Sequence, residues 1–201
     1  MRAKLFIRGG AAAVLVAATL SSGCGEFVRQ SRSPSQLVIV SILTAPSTSG
    51  TVPTTFGNGP LLSDVLTGST VFDDFGQVTL RVILKDPGAP GTPTAPSVLN
   101  DVTITRYRVT YSRSDGRNTP GADVPYPIEG AVTFTVRVDQ TAAGVIELVR
   151  HVAKVEAPLA GLSNSLVVLT TIADVTLYGR DQAGNELSAT GKVQINFANF
   201  N

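Results

Sequence analysis

This 201-residue chain has a single cysteine, Cys24, so it can close no disulfide within itself and build no zinc site on thiolates. Its single histidine, His151, leaves no pair of imidazoles for a metal. A hydrolase working through Ser, His and Asp would have to use His151 as its general base, and no G-x-S-x-G elbow accompanies it. Tryptophan is absent, and glycine-rich phosphate loops and nucleotide fingerprints are missing. With 16 Lys and Arg against 15 Asp and Glu, the chain also lacks the basic footprint of a nucleic-acid binder. Its clearest apolar run, residues 11–20, is too short to span a bilayer as a helix. These gaps predict no cofactor, no nucleic-acid partner and no catalytic activity.

What is present begins at the N-terminus. Arg2, Lys4 and Arg8 precede the apolar run and small residues follow it, the pattern of a signal peptide over residues 1–23. Its removal takes three of the 16 basic residues and none of the 15 acidic ones, which leaves 178 residues with a net charge of −2. That length suits one domain with one core. The run Leu20-Ser21-Ser22-Gly23-Cys24 resembles the lipobox of bacterial lipoproteins, with Ser21 where leucine is usual. The resemblance implies that Cys24 becomes the first residue and carries acyl chains of the palmitate kind. It places the protein in the bacterial cell envelope, at the outer membrane or the periplasmic face and not in the cytoplasm. Gly25 stands where an inner-membrane retention signal would place aspartate. A free cysteine in an ordinary secreted protein is the plainer alternative. Residues 24–36, polar and containing Pro34, read as a lipidated N-terminus and flexible tether reaching about 20 Å as a coil.

Seven segments rich in β-branched residues, separated by Gly, Pro, Asn and Asp clusters, occupy 37–201 and predict an all-β sandwich or barrel. Residues 37–43 (LVIVSIL) are an unbroken apolar run, which predicts a strand covered on both faces. Along 77–85, Val78, Leu80, Val82 and Leu84 share one face. Along 102–112 the apolar parity switches between Ile104 and Tyr107, so a bulge is expected near Thr105 and Arg106. In 132–138 the inward set is Val132, Phe134, Val136 and Val138. Residues 145–155 are apolar on both parities and read as a fifth strand with His151 in its middle. The last two strands, over 172–178 and 187–197, meet at Asp181-Gln182-Ala183-Gly184-Asn185, a hairpin turn.

That turn resembles the final hairpin of bacterial immunoglobulin-like modules. The stretches DVPYP, VRHVAKVEAPLAGL, TLYGRDQAGNE and VQINFANF are likewise similar to uncharacterised bacterial lipoproteins with such a domain. The resemblance implies an immunoglobulin-like or fibronectin-III-like antiparallel sandwich of about seven strands over 37–201. It brings no activity and no site.

Several groups invite a functional reading. Pro87, Pro90, Pro93 and Pro96 recur every third residue, which predicts a polyproline II segment with its rings on one face, either a ligand for a partner groove or a plain surface loop. Arg106, Arg108, Arg113 and Arg117 interleave with Tyr107 and Tyr111, either to recognise an acidic glycan or phosphate head group or simply by strand alternation. Asp73, Asp74, Asp115, Asn118 and Asp123 offer oxygen ligands to calcium, yet the D-x-D-x-D-G spacing is missing and turn formation accounts for them. If strands reverse successively, the tether shares one end with 86–101, 139–144 and 181–185. The longer connections 44–76, 113–130 and 156–171 then share the other, and an extra strand within 61–72 would reverse that assignment. The loop-rich end, with Tyr126 between Pro125 and Pro127, is the predicted binding surface. The chain thus reads as a lipid-anchored, non-catalytic binding or structural module, with the membrane and an envelope protein or glycan as partners. The rivals are an assembly subunit pairing through a sheet edge at 37–43, a carbohydrate-binding module using Tyr126, Arg106, Arg108 and Arg113, and a hydrolase using His151.

Overall fold

The computed structural model describes residues 32–200. Its strands are β1 (Ser35–Pro46), β2 (Leu61–Asp64), β3 (Asp74–Leu84), β4 (Gly88–Ala89), β5 (Thr92–Pro93), β6 (Val102–Ser112), β7 (Ile128–Val136), β8 (Thr141–Val149), β9 (Leu169–Asp181) and β10 (Glu186–Ala198). A single helical turn, α1 (His151–Lys154), and 3-10 turns at Val98–Asn100 and Leu159–Leu162 lie in the connections. Strands β1-β3-β8 form one antiparallel sheet, and β2-β10-β9-β6-β7 form a second whose only parallel pair is β2–β10. The sheets curl toward each other as a half-barrel, so the fold is all-β.

Period-two patterning explains the core. Val78, Leu80 and Val82 of β3 are fully buried while Arg81 points to water, as alternation requires. On β6 the register shifts between Ile104 and Arg106 against both neighbours. That bulge lets Val102 and Ile104 on one parity and Tyr107, Val109 and Tyr111 on the other all face inward. Ala173, Val175 and Leu177 of β9, and Val193, Ile195 and Phe197 of β10, complete this wall. The Tyr111 ring meets Phe197 edge-on, with centroids 6.4 Å apart.

Polar groups also tie the sheets. The Tyr111 hydroxyl donates to the Leu148 carbonyl of β8 at 2.7 Å, and Tyr107 accepts from the Glu147 N–H at 3.3 Å. Burial pushes both phenols above the ordinary tyrosine range. Residues 137–140 carry the chain from β7 in one sheet to β8 in the other. Beside this crossing, the Phe134 ring of β7 fills the space a side chain at Gly144 of β8 would need, so the close approach requires glycine.

Four expectations are corrected. The run 37–43 is not covered on both faces: among the strands β1 pairs only with β3, and it forms a margin of its sheet. A register shift between Ile39 and Ser41 bulges Val40 outward, 55 % exposed, and moves the inward parity from Leu37 and Ile39 to Ile42. The shift of phase, not double cover, makes the run apolar on both parities. The fifth strand ends at Val149, and His151 opens α1 instead of sitting mid-strand. The proline loop is no polyproline helix, because β4 and β5 pair as a small hairpin with Gly88 and Gly91 at positive φ. On β7, which starts at Ile128, Val136 is buried as expected, but Val132 and Phe134 are only half-buried against the core because β7 is a sheet margin, and Val138, half-buried too, lies beyond its end.

Tyr111→Phe leaves the buried Leu148 carbonyl without its donor and is expected to destabilise the domain by about 1–3 kcal/mol, read as a lower urea midpoint at unchanged slope.

Candidate functional site

Strand registers sort the connections into two ends. Ser35 lies opposite Leu84, Arg81 opposite Thr141, and Val102 opposite both Val136 and Asp181, so the chain entry, 85–101, 137–140 and 182–185 share one end. Pro46 opposite Asp74, Ser112 opposite Ile172 and Phe197 opposite Leu169 gather 47–73, 113–127 and 150–168 at the other. This matches the arrangement expected from strand parity. The extra strand β2 does form, yet it leaves the ends unchanged. It runs parallel to β10 toward the loop-rich end, after the chain has doubled back past the Thr44–Gly57 bridge.

The loop-rich end is organised by two adjacent carboxylates. Asp74, fully buried at the start of β3, takes the Lys154 ammonium at 2.8 Å, the Ser63 hydroxyl at 2.6 Å and the Ser47 N–H at 3.2 Å. Four separate segments thereby meet on one side chain. Burial pushes the Asp74 carboxyl above its usual range, and Lys154, Ser63 and Ser47 pull it back. Asp73 accepts the backbone N–H of His151 at 2.6 Å and its ring Nδ1 at 2.8 Å, which fixes the first residue of α1. The aspartates therefore grip α1 at both ends, a role beyond simple turn formation. Asp115 takes the Arg113 and Arg117 guanidiniums and is held down at about 2, first by the Arg113 hydrogen bond. Asn118 accepts the Arg113 N–H, and Asp123 accepts that of Thr119. Among the described residues no group of three or more His, Cys, Asp and Glu could hold a metal ion.

The structure separates the sequence-predicted binding residues. Tyr107 and Tyr111 point into the core, while Arg106 and Arg108 stand on the outer face of β6. The Arg106 guanidinium lies 3.9 Å from the Tyr178 ring centroid, and Glu129 lies 3.9 Å from Arg106 and 3.7 Å from Arg108. Arg113 and Tyr126 belong instead to the loop-rich end. Tyr126 is 56 % exposed, with its ring packed over Gly121, whose φ of +78° suits glycine. Cys24 lies outside the described residues.

Two features escaped the sequence reading. Lys154 sat in a segment taken for strand, though a lysine amid Val152, Ala153 and Val155 is itself a signal to look for a buried carboxylate. Val152 of α1, Val155 just after it and residues 166–168 are exposed and apolar, with Leu166 wholly in solvent. A shallow groove of about 370 Å³ also opens where β7 and β8 diverge, lined by Phe75, Tyr107, Val145, Glu147 and Arg150. What this end offers chemically is contact: apolar side chains, an exposed tyrosine and ionic groups already paired to one another.

No protein-family model matches the chain, and no curated protein matches it. Among solved structures it is similar to the solution structure of a candidate late embryogenesis abundant (LEA) protein, at 8 % identity over 94 % of this chain and 87 % of that one, with a TM-score of 0.44. It is also similar to the X-ray structure of structural genomics target SoR45, at 10 % identity over 81 % of this chain and 86 % of that one, with a TM-score of 0.36. Neither likeness carries an argument about function at these scores.

Lys154→Met strands a buried carboxylate and is expected to cost about 3–5 kcal/mol, whereas the double variant Asp74→Leu/Lys154→Met recovers most of that loss; denaturant unfolding of both checks it.

Proposed function

We propose that the chain is a lipid-anchored protein of the bacterial cell envelope, whose β-domain is an immunoglobulin-like or fibronectin-III-like module with a non-catalytic binding or structural role. The observation that carries this reading is the polarity of the domain. Ser33 enters the fold at the end that gathers 85–101, 137–140 and 182–185, nine residues after Cys24, and 47–73, 113–127 and 150–168, with Tyr126, lie at the opposite end. A lipid on Cys24 would hold the first end at the membrane and present the second to an envelope protein or glycan. The module assignment is supported by two facing sheets and by the Asp181–Asn185 turn. There the Asp181 carboxylate takes the Asn185 N–H at 2.8 Å and its side-chain amide at 2.9 Å. Intact-mass analysis of the native protein is expected to find a mature N-terminus at Cys24 carrying acyl chains; an unmodified thiol there contradicts the proposal.

One observation favours sheet-edge pairing as a second reading. On its side away from β3, strand β1 pairs with no other named strand and is bridged only at Thr44, by Gly57, and Val40 is exposed and apolar. Val40→Lys is the suitable probe because Ile39 and Ile42 pack toward Gly191 of β10 and would unsettle the fold. Under this reading, dimerisation followed by analytical ultracentrifugation is concentration-dependent in the parent chain and lost in Val40→Lys; equal behaviour of the two removes it.

A further inference from the structure

We propose that the end at which the chain enters the fold is a membrane-seating face, where Val98 and Leu99 dip into the lipid surface beside the anchored N-terminus. The inference rests on the reading of Cys24 as an acyl attachment point and specifies how the domain then lies.

Three hydrogen bonds fix the point of entry. The Ser33 hydroxyl donates to Asp181 at 2.8 Å, the Lys85 N–H donates to the Pro34 carbonyl at 2.9 Å, and the Ser35 hydroxyl donates to the Asn100 carbonyl at 3.3 Å. Residues 33–36 therefore belong to the fold, which leaves at most eight residues, 25–32, between it and Cys24. Eight residues span about 30 Å at most, whatever their conformation. The entry face can lie no further than that from the acyl chains. Strand β9 has 13 residues and so places the opposite end about 40 Å beyond it.

The bond from Ser35 to Asn100 sets the 3-10 turn Val98–Asn100 directly beside the entry. Here Val98 is 75 % exposed and Leu99 57 % exposed. A reciprocal cap keeps them there: the Ser97 hydroxyl accepts the Leu99 N–H at 3.3 Å, and the Asn100 side chain accepts the Ser97 N–H at 3.1 Å. Two adjacent aliphatic side chains are thus presented to solvent by a rigid turn, at the one end that a short anchored segment holds against a bilayer. Arg137 lines the same shallow groove as Val98 and lies within reach of lipid phosphate. Asp86, Asp101, Asp139, Asp181 and Glu186 slightly outnumber Arg32, Lys85, Arg137 and Arg180 at this end, and Arg180 is already paired with Glu186 at 3.0 Å, so apolar insertion, not attraction to anionic lipid, carries the seating and its dependence on salt is weak.

If Cys24 is acylated, a cysteine introduced elsewhere is the sole free thiol. The test uses the full acylated chain in vesicles of phosphatidylethanolamine and phosphatidylglycerol, with an environment-sensitive dye on Val98→Cys or, at the opposite end, on Leu166→Cys. The dye at position 98 should shift to the blue and lose emission to a quencher borne on the lipid chains, while the dye at 166 does neither. A dye at 98 that stays as wet as at 166, on a chain whose Cys24 is acylated by mass, overturns the proposal alone. A blue shift without lipid-borne quenching means that protein covers the face, and overturns it as well. A bare Cys24 overturns both this proposal and the lipid anchor on which it rests.

Discussion

The Asp74 carboxylate is buried with its countercharge, and the loop-rich end of the molecule depends on that pair. A lone ion in the interior is costly, so the ends of β1 and β8, strand β2 and the turn α1 are obliged to stay where Ser47, Ser63 and Lys154 can reach it. The 27-residue connection 47–73 contains only four residues of strand, yet it is held at both its start and its middle by this one side chain. At the other end Asp181 plays a similar part on a smaller scale. Burial pushes that carboxyl up, but hydrogen bonds from Asn185, Ser33 and the Ala183 backbone outweigh it and leave it below its usual range. Each end of the domain therefore has one buried carboxylate that collects the segments around it.

Between these two knots the sheets are joined by packing and by the β6 tyrosines, which reach across to β8. The two sheets have their margins at β1 and β8 and at β2 and β7, and the two ends are chemically unlike. One is compact, built on short turns and a small hairpin, with Val98 and Leu99 at its edge. The other is broad and presents Tyr126 and the apolar residues of α1 and 166–168. A domain with distinct ends suits attachment at one and contact at the other, which is why the proposed function follows the direction of the chain and not a catalytic constellation.

Much of the fold was legible because alternation reports burial directly. The β6 bulge at Thr105 and Arg106, the inward face of β3, the hairpin at 181–185 and the sorting of loops between ends could each be read from parity. Less legible were features whose cause lies far off in sequence. Alternation cannot show that β1 pairs with only one other strand. The β2–β10 pair is parallel and non-local, so no turn signals it. The end of β8 at Val149 depends on Asp73, which caps His151 from another loop. Lys154 needed Asp74 to explain it, as the prolines of 87–96 needed the glycines that turn them into a hairpin. For the candidate site, parity gathered the long loops and Tyr126 at one end, as the strands do, but grouped Arg106 and Arg108 with Arg113, which the sheet keeps apart.

The central claim is that separate carboxylates organise the two ends. Residue-resolved amide hydrogen exchange of the Asp74→Ala variant tests it most directly. The account requires protection to fall across residues 47–73 and 150–155 while the 181–186 turn keeps its own. Uniform loss over both ends, or unchanged protection in 47–73, would contradict it.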